Sequence, residues 1–225
     1  MRDGVKIKVS KDGPYLVSGE VSIAEQAIGT DGDGNSIKWI EGRKFSCKNA
    51  CALCRCGHSS NKPFCSGKHA EIGFKGEETA DNIPYEKKAE ITKGEGLILK
   101  DVPILCAGAR FCDPCGGTWT LTEESADAEK KKIAIEQACN CPSGRLTACE
   151  DGKNIEPKFE QSIGVVEDPE AGVSGPLWIR GGIQIESARG ENYEIRNRIT
   201  LCRCGKSKNK PFCDASHMTT GFSDK

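Results

Sequence analysis

Aromatic residues are scarce in this 225-residue chain, at 6% with three Trp, so a large conventional core is not expected. Small modules stapled by a cofactor fit better, because bound metal adds folding free energy that a small core cannot supply. Net charge is also lacking: 32 basic residues face 33 acidic ones, leaving −1. That balance argues against a nucleic-acid partner, which would demand a basic footprint. No apolar run approaches the length of a membrane span, and the charged opening, Met1 to Lys8, has no apolar stretch of the kind a signal peptide carries. Nor is there a Ser/His/Asp arrangement, a nucleotide loop or a flavin motif. The expectation is a soluble cytoplasmic protein that is not an enzyme and binds neither membrane nor nucleic acid.

Cysteine is what the chain has in quantity, 14 in all. In a reducing compartment, clustered cysteines favour metal binding over disulfides. Cys54, Cys56, Cys65 and His69 follow the spacing C-x-C-x8-C-x3-H, and Cys202, Cys204, Cys213 and His217 repeat it. Three thiolates and one imidazole on one ruler, met twice, predict two equivalent metal centres. Gly57 and Gly205 permit tight turns, and Pro63 and Pro211 fix the approach to the third cysteine. Cys65 and His69, at i and i+4, are expected on one face of a helical turn whose first N–H groups point at the sulfurs. This donor set suits a structural zinc and a [2Fe–2S] cluster alike, and the spacing leaves both open. His58 stands where the second copy has Lys206 and reads as a solvated side chain.

A second repeat lies upstream of each cage. Residues 13–23 and 175–185 both read as a short strand, a Gly turn and an alternating strand. The strand copies lie farther apart than the cage copies, so the first copy carries an insertion, placed at Glu25 to Ser36 and around Lys48 to Ala52. The chain is therefore a tandem duplication, and two such modules are expected to pack about a pseudo-two-fold axis within a monomer. Asp31 to Asn35 reads as a turn rather than a calcium loop, because Gly42 stands where the bidentate Glu would be.

Between the copies, a strand is expected over 96–103 and a helix over 123–137, with Thr122 as N-cap and acidic residues at its positive end. Residues 155–175 read as an extended connector, and 219–225 as a fraying end. Lys130 to Lys132 read as a solvated face or a dock for an acidic redox partner. Cys112 and Cys115 with Cys139 and Cys141 would make a zinc knuckle. Cys47 and Cys51 read as packed or surface thiols, with cluster transfer as the other reading.

Both cages closely resemble the motif of the CDGSH iron–sulfur family, the mitoNEET-like proteins. Cys54, Cys56, Ser59, Pro63, Cys65 and His69 match it in the first copy. Cys202, Cys204, Ser207, Pro211, Cys213, Asp214, Ser216 and His217 match it in the second. Ser66, Lys68 and Ala215 depart from it, and these departures bear on helix-start geometry and cluster tuning. The resemblance implies a [2Fe–2S] cluster at each cage and a β-rich fold with a strand-swapped cap. In the middle, Cys106 and Cys112 followed by Cys141-Pro142 resemble a divergent mono-cluster ferredoxin-like domain. Ala109 stands where common ferredoxins have a cysteine, so three ligands imply [3Fe–4S], unless Cys115 completes a [4Fe–4S] set; Cys139 and Cys149 are further candidates.

The expected fold class is α+β and β-rich: two CDGSH-type β modules in an intramolecular pseudo-dimer, with an inserted ferredoxin-like α/β segment. The modules are placed at 1–85 and 170–225, with the cluster domain at 95–159. The implied role is electron transfer, or cluster storage and delivery, with a redox or cluster-acceptor protein as partner. A zinc-stapled interaction module and the redox subunit of an enzyme complex are the alternatives.

Overall fold

The structure, a computed structural model, describes residues 4–224. Met1 to Asp3 of the charged opening, and Lys225, lie outside the described residues. The protein is β-rich with short helices. Its first part runs β1 (Lys6–Val9), β2 (Tyr15–Ser18), β3 (Ser22–Thr30), β4 (Ser36–Phe45), β5 (Ala50–Leu53), α1 (Lys68–Glu71) and α2 (Tyr85–Lys88). The middle contributes β6 (Glu90–Lys93), β7 (Ile98–Asp101), α3 (Thr118–Glu123), α4 (Ala128–Asn140), β8 (Leu146–Glu150) and β9 (Lys153–Ile155). The last part is β10 (Ser162–Asp168), β11 (Val173–Arg180), β12 (Gln184–Glu186), β13 (Arg198–Leu201) and α5 (Ser216–Thr220).

The two repeats trade strands. One sheet has the order β12-β1-β2-β5 and the next β13-β11-β10-β3-β4. Strand β3 keeps β4 on one edge and on the other pairs in parallel with β10, from Ser22 opposite Ser162 to Ala27 opposite Glu167. Strand β12 returns the exchange by pairing in parallel with β1, Ile7 lying opposite Ile185. Lys8 and Glu186 bridge that second junction on its outer face at 2.8 Å. Alternation puts Tyr15 and Val17 inward and Leu16 and Ser18 outward on β2. The inward side chains of both sheets meet in one core, where Ile7, Val9, Leu53, Ile163, Leu177 and Leu201 are buried together. Each contributes about 1.5–3 kcal/mol on burial, and neither repeat assembles this core by itself.

The insertion in the first copy is a β3–β4 arm. Its turn is held by Asp31, which accepts from Asp33 N and Asn35 N at 3.0 and 2.9 Å, as a turn rather than a calcium loop requires. The arm lays Trp39 between Phe111 and Trp178, with centroids at 4.9 and 4.7 Å. At its base Cys47 and Cys51 form a disulfide, Cα–Cα 5.7 Å, rather than the free thiols expected. The pairing follows from where the chain brings them: Cys47 is buried on the core and Cys51 packs against it from β5.

The middle segment forms its own antiparallel sheet, β6-β7-β8-β9, on which α3 and α4 pack through Leu121, Ala134 and Ala138. Two helices replace the single one expected. The N-cap of the longer helix is Asp127, whose carboxylate accepts from Glu129 N and Lys130 N at 2.8 and 3.1 Å. Thr122 instead lies buried in α3 and donates to Thr118 O at 2.7 Å. Lys130 and Lys131 pair with Glu124 and Glu150.

Two further expectations are corrected. Residues 155–175 are no mere connector, because they contain β10, the centre of the five-stranded sheet. The end of the chain is also tied down: Ser174 N donates to Phe222 O at 2.7 Å, and Asp224 pairs with buried Arg203. Among the described residues no helix is long and apolar enough to cross a membrane.

Candidate metal centres

Each cage is built from a strand end and a return loop. Strand β5 runs out at Leu53 into Cys54 and Cys56, and β13 at Leu201 into Cys202 and Cys204. The return is fixed by backbone bonds repeated in both copies. Cys54 N donates to Pro63 O and Cys202 N to Pro211 O, each at 2.8 Å. Cys65 N donates to Ala52 O at 2.8 Å, and Cys213 N to Thr200 O at 2.9 Å. Ser59 Oγ caps its loop by donating to Phe64 O at 2.6 Å, as Ser207 Oγ does to Phe212 O at 2.7 Å.

The donors come in pairs. Cys54 Sγ and Cys56 Sγ are 3.8 Å apart, and Cys65 Sγ and His69 Nδ1 3.3 Å. The second copy repeats this at 3.7 Å for Cys202 and Cys204 and 3.5 Å for Cys213 and His217. Among the described residues, no three of His, Cys, Asp and Glu converge as a single ion would require. Each pair has the spacing of two donors on one metal atom.

The helical turn expected to carry both Cys65 and His69 is shorter than foreseen. Helix α1 starts at Lys68 and α5 at Ser216, so each cysteine precedes the helix that holds its histidine. Gly67 and Ala215 make the bend at positive φ, 84° and 64°, and each directs its N–H to the preceding cysteine sulfur at 3.4 Å. For Ala that conformation is strained. Ala215→Gly is expected to stabilise the protein by about 1 kcal/mol, as read by urea denaturation. The other departures are compensated locally. Ser66 Oγ takes the Ser60 N–H that Asp214, in the second copy, takes from Lys208 N, at 3.2 and 2.7 Å. Lys68 pairs with Glu71 at 2.6 Å.

The copies differ in burial. Cys213 and His217 are each 3% exposed, whereas Cys65 and His69 are half-buried. Burial, with the Arg203 guanidinium nearby, holds the His217 imidazole down at about 4, so at neutral pH its ring nitrogen keeps a free lone pair. Burial likewise pushes the Cys213 thiol well up. Ionising such thiols is costly without a compensating cation, and a metal in the cage supplies it. His58 is exposed, as expected.

The sequence pattern did not reveal the residues behind the cages. Arg55 and Arg203, between the paired cysteines, are each 1% exposed. Their Nε atoms donate to Gly13 O and Gly175 O, both at 2.8 Å, and each guanidinium lies over a following aromatic, Phe74 or Phe222. Tyr15 reaches across from the first repeat and donates to Cys202 O at 2.8 Å. The C-R-C triplet in both copies was the available signal, but an arginine beside cysteines reads equally well as a solvated cation.

The cages stand back to back. A Cβ on Gly57 would sit 2.7 Å from Cys204 O, and one on Gly205 2.7 Å from Cys56 O. The same two glycines have φ of 82° and 76°. Only glycine permits both the turn and this approach.

Of the middle cysteines, Cys106, Cys112 and Cys141 line one cavity together with Ala109 and Arg145. Cys115 is not among them; it is exposed, in a groove beside Ile37 and Gln137. Cys139 turns towards Ile155 O at 3.9 Å, so the zinc-knuckle set of Cys112, Cys115, Cys139 and Cys141 is not brought together among the described residues; Cys149 is buried on β8. The Cys106–Cys112 loop lies against the second cage. A Cβ on Gly108 would meet Met218 Cγ at 3.0 Å and Ala215 Cβ at 3.3 Å.

Two strand-end cages of three thiols and an imidazole make a tandem pair of candidate metal centres. Residues 12–70 and 174–218 match the family described as iron-binding zinc finger, CDGSH type, and both repeats belong to it. The segment between the two matches lies outside that family description. The chain matches no curated protein and no solved structure.

Proposed function

We propose that this chain is a multi-cluster iron–sulfur protein that carries electrons, or stores and delivers clusters, for a redox or cluster-acceptor protein. In this reading Cys54, Cys56, Cys65 and His69 hold one [2Fe–2S] cluster, and Cys202, Cys204, Cys213 and His217 hold another. The observation that carries it is the match of both cages to the iron-binding CDGSH description, and the donors of each cage fall into two pairs that two irons could share. A bound [2Fe–2S] cluster supplies a one-electron couple. The protein's part is to hold the donors, keep water from the buried side and set the local charge. The reciprocal strand exchange and the facing glycines support an intramolecular pseudo-dimer. Cys106, Cys112 and Cys141 around one cavity support a third, three-thiolate centre of the [3Fe–4S] kind, since Cys115 faces elsewhere.

Reductive titration of the anaerobically purified protein tests this reading. The expected result is reversible bleaching of visible absorption with iron retained over repeated cycles. A colourless protein, or one that carries zinc in the cages, would contradict it. His69→Cys and His217→Cys are each expected to lower the potential of their own centre, because an anionic thiolate replaces a neutral ring. They are also expected to remove most of its pH dependence. Potentials unchanged in both variants would count against histidine ligation.

A further inference from the structure

We infer that the two cages differ in redox potential, with the first above the second, because the arginine between the paired cysteines is neutralised by carboxylates only in the second copy. This rests on the reading that each cage holds a [2Fe–2S] cluster.

The two arginines occupy equivalent frames, which isolates the difference. Arg55 gives NH2 to Ser10 O at 2.8 Å and NH1 to Gly76 O at 2.7 Å. Arg203 gives NH2 to Val166 O at 2.7 Å, the counterpart of the first bond. It then adds Glu167 Oε1, also at 2.7 Å, and its NH1 goes to the Asp224 carboxylate. The residue after Ser10 is Lys11, whereas the residue after Val166 is Glu167. A neutral carbonyl, and a lysine that is itself exposed to water, are thus replaced by two carboxylates in the other copy. Among the described residues no carboxylate pairs with Arg55; Asp12, close by, accepts from Gly76 N at 2.7 Å instead.

Reduction adds one negative charge to a cluster. An uncompensated buried cation favours that charge, and a guanidinium closed by two carboxylates does not. The remaining differences act in the same direction or are screened. Asp214 beside Cys213 stands where the first copy has Ser66, adding negative charge at the second cage. Half-buried Cys65 and His69 leave the first centre better solvated in its more charged state. Lys206 and Lys208 flank the second cage but are exposed to water, which weakens their field.

With both cages loaded, this ordering would favour movement of one electron from the second cage to the first, with no atom transferred. The backbone contact between Gly57 and Cys204 gives it a short path, and the better exposed cage becomes the exit.

The test is a mediated dithionite titration of the loaded full-length protein, followed by visible absorption and EPR, with Glu167→Gln and Lys11→Glu beside the parent. Two separate [2Fe–2S] steps are expected. Glu167→Gln should raise the lower step and leave the upper in place, while Lys11→Glu should lower the upper step. Should Glu167→Gln fail to hold its cluster, Asp224→Asn is expected to raise the lower step in the same way. Coincident steps in the parent, or a Glu167→Gln shift confined to the upper step, would overturn the ordering while leaving the clusters established. Absence of any [2Fe–2S] signal would instead overturn the cluster reading, and the ordering with it.

Discussion

Arg198→Met is expected to cost about 3–5 kcal/mol and to disorganise the candidate middle site, because it removes the cation of a buried network and leaves the Glu156 carboxylate without its ion pair. Arg198, on β13, is 1% exposed. Its NH1 donates to Ala138 O, Cys139 O and Cys141 O at 2.6, 3.0 and 2.7 Å. Its Nε and NH2 meet the Glu156 carboxylate at 2.8 and 3.1 Å. One side chain thus ties the end of α4, and the backbone of a candidate ligand, to the second repeat. Without it Ala138 O and Cys141 O keep only the longer bonds from Cys141 N and Gly144 N, each at 3.2 Å, and the Glu156 carboxylate loses its cation. Glu156→Gln keeps a hydrogen-bonding partner and should cost less. Burial raises the Glu156 carboxyl, but Arg198 outweighs it and leaves the group below its ordinary value. Its contribution is therefore present above about pH 4.3, the ordinary glutamate value, and is lost as pH falls through the lower folded value. Urea denaturation at neutral and acid pH, beside EPR of the middle centre, reads both effects. A well-folded Arg198→Met protein with all its signals intact would show that the network is dispensable.

Gly57→Ala is expected to cost about 3 kcal/mol and to perturb both cages at once. The added Cβ meets backbone, Cys204 O at 2.7 Å, rather than a side chain that can turn away. It also sits at φ 82°, where an L residue is strained by about 1–2 kcal/mol. Gly152→Ala separates the two contributions: φ there is 74°, yet no heavy atom lies within 4 Å. It should therefore show the conformational cost alone. The diagnostic outcome for Gly57→Ala is a changed spectrum at the second cage, although the substitution lies in the first. Equal losses in the two variants would mean that the cages do not bear on one another.

The cages were legible in the sequence because metal ligation is a matter of residue type and spacing, and the turns between ligands need Gly and Pro at set places. The strand repeat upstream was legible as well, since Tyr15 and Val17 alternate with exposed partners on β2. Strand β10 was not. Only Ile163 to Val166 resemble a strand, and Glu167 and Asp168 then read as surface charge. Both are buried because Arg203 and Arg110 reach them from other elements, contacts that no local pattern records. The tail was misjudged for the same reason: Asp224 is held by a guanidinium from a loop 21 residues earlier. In the middle, the three thiols that the local motifs singled out, Cys106, Cys112 and Cys141, line one cavity. Closeness in sequence overvalued Cys115, whose φ of 59° lies in a turn that faces another groove.

Anaerobic purification with iron, acid-labile sulfide and zinc analysis, beside EPR of the oxidised and reduced protein, tests the central claim most directly. The account predicts iron and sulfide sufficient for two [2Fe–2S] clusters and a three-iron centre. It further predicts a reduced-state signal from the binuclear pair, an oxidised-state signal from the third centre, and negligible zinc. Zinc in place of iron, with no sulfide and no EPR signal, would contradict it.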